Sequence, residues 1–114
     1  MPKSVVELLP GTLDMLVLKT LAWGPAHGLG VLRSIEHVTR GELQIEEGAL
    51  YPALHRLEEQ GWLDSEWGIT EKNRRAKFYR LTTAGRRQLA AEVSRWSRYA
   101  NVVQLVLDSA AAAG

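Results

Sequence analysis

The 114-residue sequence contains no cysteine. That absence excludes a disulfide framework and thiolate metal sites, and it suits a reducing cytoplasm. The sequence also lacks any apolar run approaching the ~20 residues that span a membrane. Met1-Pro2-Lys3 carries one basic residue, and Glu7 and Pro10 interrupt the next few positions, so the start reads as free of a targeting signal. No phosphate-cradling glycine motif is present. His27, His37 and His55 are too scattered for a helical metal pair; they read as a helix-start residue, a helix-end residue and a surface reader. Ser65 and the threonines have no base partner near them in sequence. With no catalytic constellation, metal or cofactor motif, the chain reads as a non-enzyme.

What is present is an uneven distribution of charge. The formal net charge is only +1. Residues 1–70 hold five Lys/Arg against ten Asp/Glu, whereas residues 71–98 hold nine against two. A basic block on a near-neutral chain points to a polyanion contact; the alternative is a solvated basic face.

The length is that of one domain. Residues 1–10 read as an N-terminal arm. Thr12 is placed to cap a first helix whose apolar face is Leu13, Leu16, Val17 and Leu21. Gly24-Pro25 stops it, and the proline is suited to start a second helix carrying Leu29, Leu32, Ile35 and Val38 and ending near Arg40-Gly41. Leu43 and Ile45 alternate with polar residues and suggest a very short strand. A third helix over about 46–60 carries a buried stripe of Leu50, Leu54 and Leu57, with Gly61 as its C-cap. Pro52 is tolerated only near a first turn, which draws the start toward Glu47 or Gly48.

The period then changes. Residues 62–67 and 76–81 read as two strands, joined by a polar, basic connection at 68–75. Thr82 or Thr83 caps a last helix over 83–108, which would be about 39 Å long at the helical rise. On it Leu89, Val93, Trp96, Ala100, Val103 and Leu107 are spaced 4, 3, 4, 3 and 4 apart, a heptad seam that wants a partner helix. Residues 109–114 read as a flexible tail.

The expected fold is therefore mainly α with a small β-hairpin: a winged helix-turn-helix of three helices and a two-stranded wing over residues 11–82, followed by a long C-terminal dimerisation helix. In such modules the third helix enters the major groove and the hairpin is the wing. The face opposite the leucine stripe holds Gly48, Ala49, Pro52, His55, Arg56 and Glu59, with Tyr51 on the flank. Its small N-terminal residues would let the helix backbone approach DNA, and Tyr51, His55 and Arg56 can donate to phosphates or base edges. Glu46 and Glu47 would repel phosphate, but they also suit a helix N-terminus. On the wing, Lys72, Asn73, Arg74, Arg75 and Lys77 gather four positive charges within six residues, more than a soluble edge strand needs.

Four stretches carry a family resemblance: Gly11-Thr12-Leu13-Asp14 through Leu18-Lys19-Thr20-Leu21; His27-Gly28; Glu47-Gly48-Ala49-Leu50-Tyr51-Pro52-Ala53-Leu54-His55-Arg56-Leu57-Glu58; and Phe78-Tyr79-Arg80-Leu81-Thr82-Thr83-Ala84-Gly85. Together they resemble the PadR family of bacterial regulators over about residues 11–108, in the short form with a single C-terminal helix. Glu66-Trp67-Gly68 and Asn73-Arg74-Arg75-Ala76-Lys77 look like the variant common in acidobacteria. The resemblance implies a cytoplasmic homodimeric repressor on a palindromic operator in double-stranded DNA. The family's DNA-contacting tyrosine maps onto Tyr51 and its wing basics onto Lys72, Arg74, Arg75 and Lys77. Ala49 departs from the pattern, which often has Ser or Thr there, and removes one hydroxyl contact. Some members bind flat aromatic molecules between paired tryptophans at the dimer centre, a role that would fall to Trp96, with Tyr99 near it. The plainer reading of Trp96 is core packing. The alternative for the whole chain is a winged-helix protein-protein interaction module that never touches DNA.

Overall fold

A computed structural model describes residues 6–110. Residues 1–5 and 111–114, the outer parts of the expected arm and tail, lie outside the described residues. The elements run α1 (Leu13–Ala22), β1 (Ala26–His27), α2 (Gly28–Val38), α3 (Glu47–Glu59), β2 (Leu63–Ile69), β3 (Arg75–Leu81) and α4 (Thr83–Asp108). This is the expected mainly helical winged helix with a long last helix, with one addition. The hairpin β2–β3 carries a third antiparallel strand, because Ala26 pairs with Tyr79 and His27 with Phe78.

That strand corrects the expected start of α2. Pro25 does not open the helix, because the chain first runs extended along β3. The helix begins at Gly28, with the His27 ring as cap: its Nδ1 accepts from the Gly30 N–H at 3.2 Å. Thr12 likewise does not cap α1 through its side chain, because its hydroxyl donates backward to the Leu9 carbonyl at 2.7 Å. Leu43 and Ile45 form no strand. They are coil residues packed against the core, and the Thr39 hydroxyl supplies a partner for the Leu43 N–H at 3.1 Å.

The core is built from Val17, Leu18 and Leu21 of α1, Val31 and Ile35 of α2, Leu50, Leu54 and Leu57 of α3, and Leu63, Tyr79 and Leu81 of the hairpin. α1 is the central helix, touched by α2, α3, α4 and β3. It therefore buries Leu18 and Thr20 as well as the expected Val17 and Leu21, while Leu13 and Leu16 are only partly covered. Thr20 satisfies its hydroxyl on the Leu16 carbonyl at 2.8 Å. On α2 the buried stripe is Val31 and Ile35. Leu29 is exposed because it lies about 160° around the helix from Val31. Val38, the last helical residue, overhangs the core and is exposed.

α3 begins at Glu47, so Pro52 sits in its second turn. A proline there cannot donate to the Gly48 carbonyl, and this position is exposed to water. The helix stops at Gly61, whose φ of 79° lets the Trp62 N–H turn back to the Leu57 carbonyl at 3.1 Å. In the hairpin Leu63 pairs with Leu81, Ser65 with Tyr79, Trp67 with Lys77 and Ile69 with Arg75. The period of two puts all of these on one face. Leu63, Leu81 and Tyr79 lie over the core, whereas Trp67, Ile69 and Arg75 extend past it and are exposed. Thr82 caps α4, accepting from the Gly85 N–H at 2.9 Å while donating to the Gly61 carbonyl at 2.8 Å.

Candidate nucleic-acid interface

On α3, Gly48, Ala49, Tyr51, Pro52, His55 and Arg56 are all exposed, as the position of the leucine stripe requires. Their surroundings differ. A Cβ on Gly48 would meet nothing within 4 Å, so backbone is bare at the start of this face. Tyr51 lies across the beginning of α2: a Cβ on Gly28 would come within 2.6 Å of the Tyr51 ring and 2.8 Å of its hydroxyl. Arg56 is held by an ion pair to Asp14 of α1. His55 lies 2.7 Å from Glu59, one helical turn on.

The hairpin tip is a tight turn. The Thr70 N–H donates to the Arg74 carbonyl at 2.8 Å, and the Arg74 N–H to the Thr70 hydroxyl at 3.2 Å. Asn73 takes a φ of 59°, a conformation asparagine tolerates better than most residues. Lys72, Asn73, Arg74 and Arg75 are exposed around it. Arg75 belongs to β3 and stacks over the Trp67 ring, 4.9 Å from its centroid. Lys77 is placed differently from the other wing cations. It is partly buried and donates to Glu58 of α3 at 3.0 Å, and Ser65 donates to the same carboxylate. The Ser65 and then the Lys77 hydrogen bonds hold the Glu58 carboxyl below its ordinary value, and the bond to Glu58 raises Lys77.

Between wing and helices lies an open cleft of about 480 Å³. Its walls are His27 of β1, Gly28, Leu29 and Arg33 of α2, Tyr51 of α3, and residues 70–72 and 74–77 of the wing, among which Glu71 is the one acid. This brings together Tyr51, Lys72, Arg74, Arg75 and Lys77 from the sequence reading. It adds Arg33, which the sequence did not single out, and His27, which the sequence marked only as a helix-start residue. Asp14, Glu58, Ser65 and Trp67 were also missed as partners of functional side chains. Among the described residues no group of three His, Cys, Asp or Glu is arranged to hold a metal ion.

Away from this face, α4 presents apolar residues that no layer covers among the described residues. Leu89 packs on the core, but Val93, Trp96 and Leu107 are exposed, Trp96 to 39% and Leu107 to 69%. Ala100 and Val103 are half-buried. Tyr99, Val102, Leu105 and Val106 are exposed on its flanks. Trp96 and Tyr99 line an open groove of about 660 Å³ with Leu9, Met15, Glu92 and Arg95. Glu92 Oε2 is buried there without a hydrogen-bond partner. Burial and then the charge of Asp14 push its carboxyl above the ordinary value. Among the described residues no helix is long and apolar enough to cross a membrane.

Comparison with known proteins gives a consistent result. A family model described as the transcriptional regulator PadR-like family matches residues 17–91. A PadR family transcriptional regulator of Eggerthella lenta is 36% identical and superposes with a TM-score of 0.77, over 88% of this chain and 85% of that one. A transcriptional regulator of Clostridium thermocellum is 29% identical with a TM-score of 0.76, over 82% of this chain and 91% of that one. A transcriptional regulator of Mycobacterium tuberculosis is 39% identical over 57 residues, half of this chain and 52% of its own length.

Proposed function

Because this chain belongs to the transcriptional regulator PadR-like family, we propose that it is a homodimeric, sequence-preferring DNA-binding repressor acting in the bacterial cytoplasm. The observation that carries the reading is the basic cleft between the wing and the helices. It is lined by Arg33, Lys72, Arg74, Arg75 and Tyr51, and Tyr51 lies on the same helix as the bare Gly48. With α3 in a major groove, a phosphate strand would run through the cleft. Lys72, Arg74 and Arg75 would supply sequence-independent affinity, with Asn73 shaping the turn that presents them. Tyr51, His55 and Arg56 would position the helix or read base edges, and Gly48, Ala49 and Pro52 would let its backbone approach.

The seam of exposed Val93, Trp96 and Leu107 with half-buried Ala100 and Val103 supports dimerisation through α4, with Leu89 anchoring the helix to its own core. The dimer fixes the separation of the two α3 helices and so the half-site spacing. Occupying an operator in this way represses by excluding other proteins from it. The groove at Trp96 and Tyr99 would take a small aromatic effector, which shifts that spacing if it favours one arrangement over another.

The test is selection from a pool of randomised duplexes by the purified protein. The proposal expects enrichment of an inverted repeat. A pool that stays random would sink it and leave the protein-interaction module, which the same exposed α4 surface would serve.

A further inference from the structure

The hairpin leaves the core at the level of Ser65 and Tyr79, and among the described residues its outer half has no apolar layer beneath it. Trp67, Ile69 and Arg75 on its inner face are exposed, and β1 supports its other edge only as far as Phe78. A two-stranded ribbon extending alone is marginally rigid. At the point of departure one side chain of α3 reaches both strands. Glu58 accepts from Ser65 of β2 and, at 3.0 Å, from Lys77 of β3. Glu58 lies seven positions after Tyr51, so the two share the flank of α3 that faces the wing.

We infer that Glu58 is a positioning residue which, through Ser65 and Lys77, fixes the angle between wing and reader helix and thereby sets specificity for DNA. Lys77 then acts as the cationic arm of this clamp and not as a phosphate contact. The lever is long enough to matter. Asn73 lies four residues beyond Lys77, about 13 Å along an extended strand, so a swing of ~10° displaces the tip by about 2 Å. Such a displacement separates base reading from phosphate contact. The wing cations still find phosphate, while α3 and the wing no longer fit one register together. The hydrogen bonds that hold Glu58 ionised keep the clamp set at neutral pH.

The inference rests on the proposed function, and its test separates the two. Wild type, Glu58→Ala, Glu58→Gln and Lys77→Met are measured against the duplex that wild type enriches and against a scrambled duplex of equal length, over a range of salt. Glu58→Ala and Lys77→Met are expected to lose about tenfold on the enriched duplex and little on the scrambled one, with the salt slope unchanged. Glu58→Gln, whose one amide oxygen can accept from Lys77 while its NH2 donates to the Ser65 hydroxyl, should recover part of the preference. Should Glu58→Ala fail to fold, Lys77→Met carries the same comparison from the surface. Full preference in Lys77→Met would overturn the inference alone, and so would a salt slope reduced by about one per protomer, which would make Lys77 a phosphate contact. No enrichment by wild type would overturn the proposed function and the clamp with it.

Discussion

Replacing Gly85 by alanine should destabilise the protein even though it puts a better helix former into a helix. Gly85 sits in the first turn of α4, directly against the chain entering β2. A Cβ there would lie 2.1 Å from the Trp62 carbonyl oxygen, 2.7 Å from Leu81 Cδ1 and 3.0 Å from the Trp62 carbonyl carbon. The first of these is backbone and cannot swing aside. It is moreover the acceptor of the Thr82 N–H at 3.1 Å, next to the Thr82 cap on Gly85 itself. Making room means moving the start of α4 away from β2. That motion weakens a cap worth about 1 kcal/mol and a backbone hydrogen bond worth about 1 kcal/mol. It also adds overpacking strain of about 1–3 kcal/mol against Leu81. The gain in helix propensity returns about 1 kcal/mol. The net expectation is a loss of about 2–4 kcal/mol, a fall in Tm of about 10–20 °C for a chain of this size. Thermal unfolding followed by circular dichroism at fixed protein concentration measures it. Gly48→Ala in α3 is the matched control: its Cβ meets nothing, so stability should hold or rise by up to about 1 kcal/mol. Equal Tm shifts at the two sites would refute the reasoning, because only propensity would then be acting.

Three further outcomes are expected from the contacts. Gly28→Ala should displace the Tyr51 ring, an exposed and movable side chain, so DNA affinity should fall several-fold while stability changes by under about 1 kcal/mol; unchanged affinity would remove Tyr51 from the interface. Asp14→Asn should release Arg56 at little cost in stability, since the arginine end of the pair is largely exposed, and should strengthen binding to random duplex with a steeper salt slope; weaker binding would show that Asp14 presents Arg56 and does not restrain it. Glu92 has its folded-state value raised above the ordinary 4.5, so the native state binds its proton more tightly than the unfolded state, and stability contributed by this group is lost as pH rises from that value through the folded one. Glu92→Gln should therefore raise Tm at pH ~7 and give little change near pH ~4, whereas destabilisation at neutral pH would mean that the ionised carboxylate is held by a favourable partner.

Much of this architecture was legible in the sequence, for reasons that can be named. The leucine stripe of α3, its Gly61 stop and the period-two hairpin each announce themselves within a few residues. The long helical run of α4 does the same over more residues. What could not be read depends on contacts between distant positions. β1 is two residues long, too short for any alternation, and exists only because β3 has a free edge beside it. α1 looked one-sided because a helical face is inferred by contrast with polar residues, yet four elements surround it and Leu18 is fully buried. The wing basics were visible as a charge cluster, but the difference between exposed Arg74 and clamped Lys77 lies in Glu58, 19 positions away along the chain. Arg56 likewise meets its restraint in Asp14, 42 positions earlier. Gly85 was recognisable only as part of a family pattern; the Trp62 carbonyl supplies its physical reason.

The central claim, that the wing grips a nucleic-acid backbone, is tested most directly by the salt dependence of DNA binding for wild type and for the double variant Arg74→Ala/Arg75→Ala. Each phosphate contact contributes about 0.9 to the slope of log affinity against log salt, so losing two contacts in each protomer of a dimer should flatten it by about 3 to 4. That flattening, with a large loss of affinity at low salt, is the predicted result. A double variant that binds DNA with the wild-type slope and affinity would contradict the account.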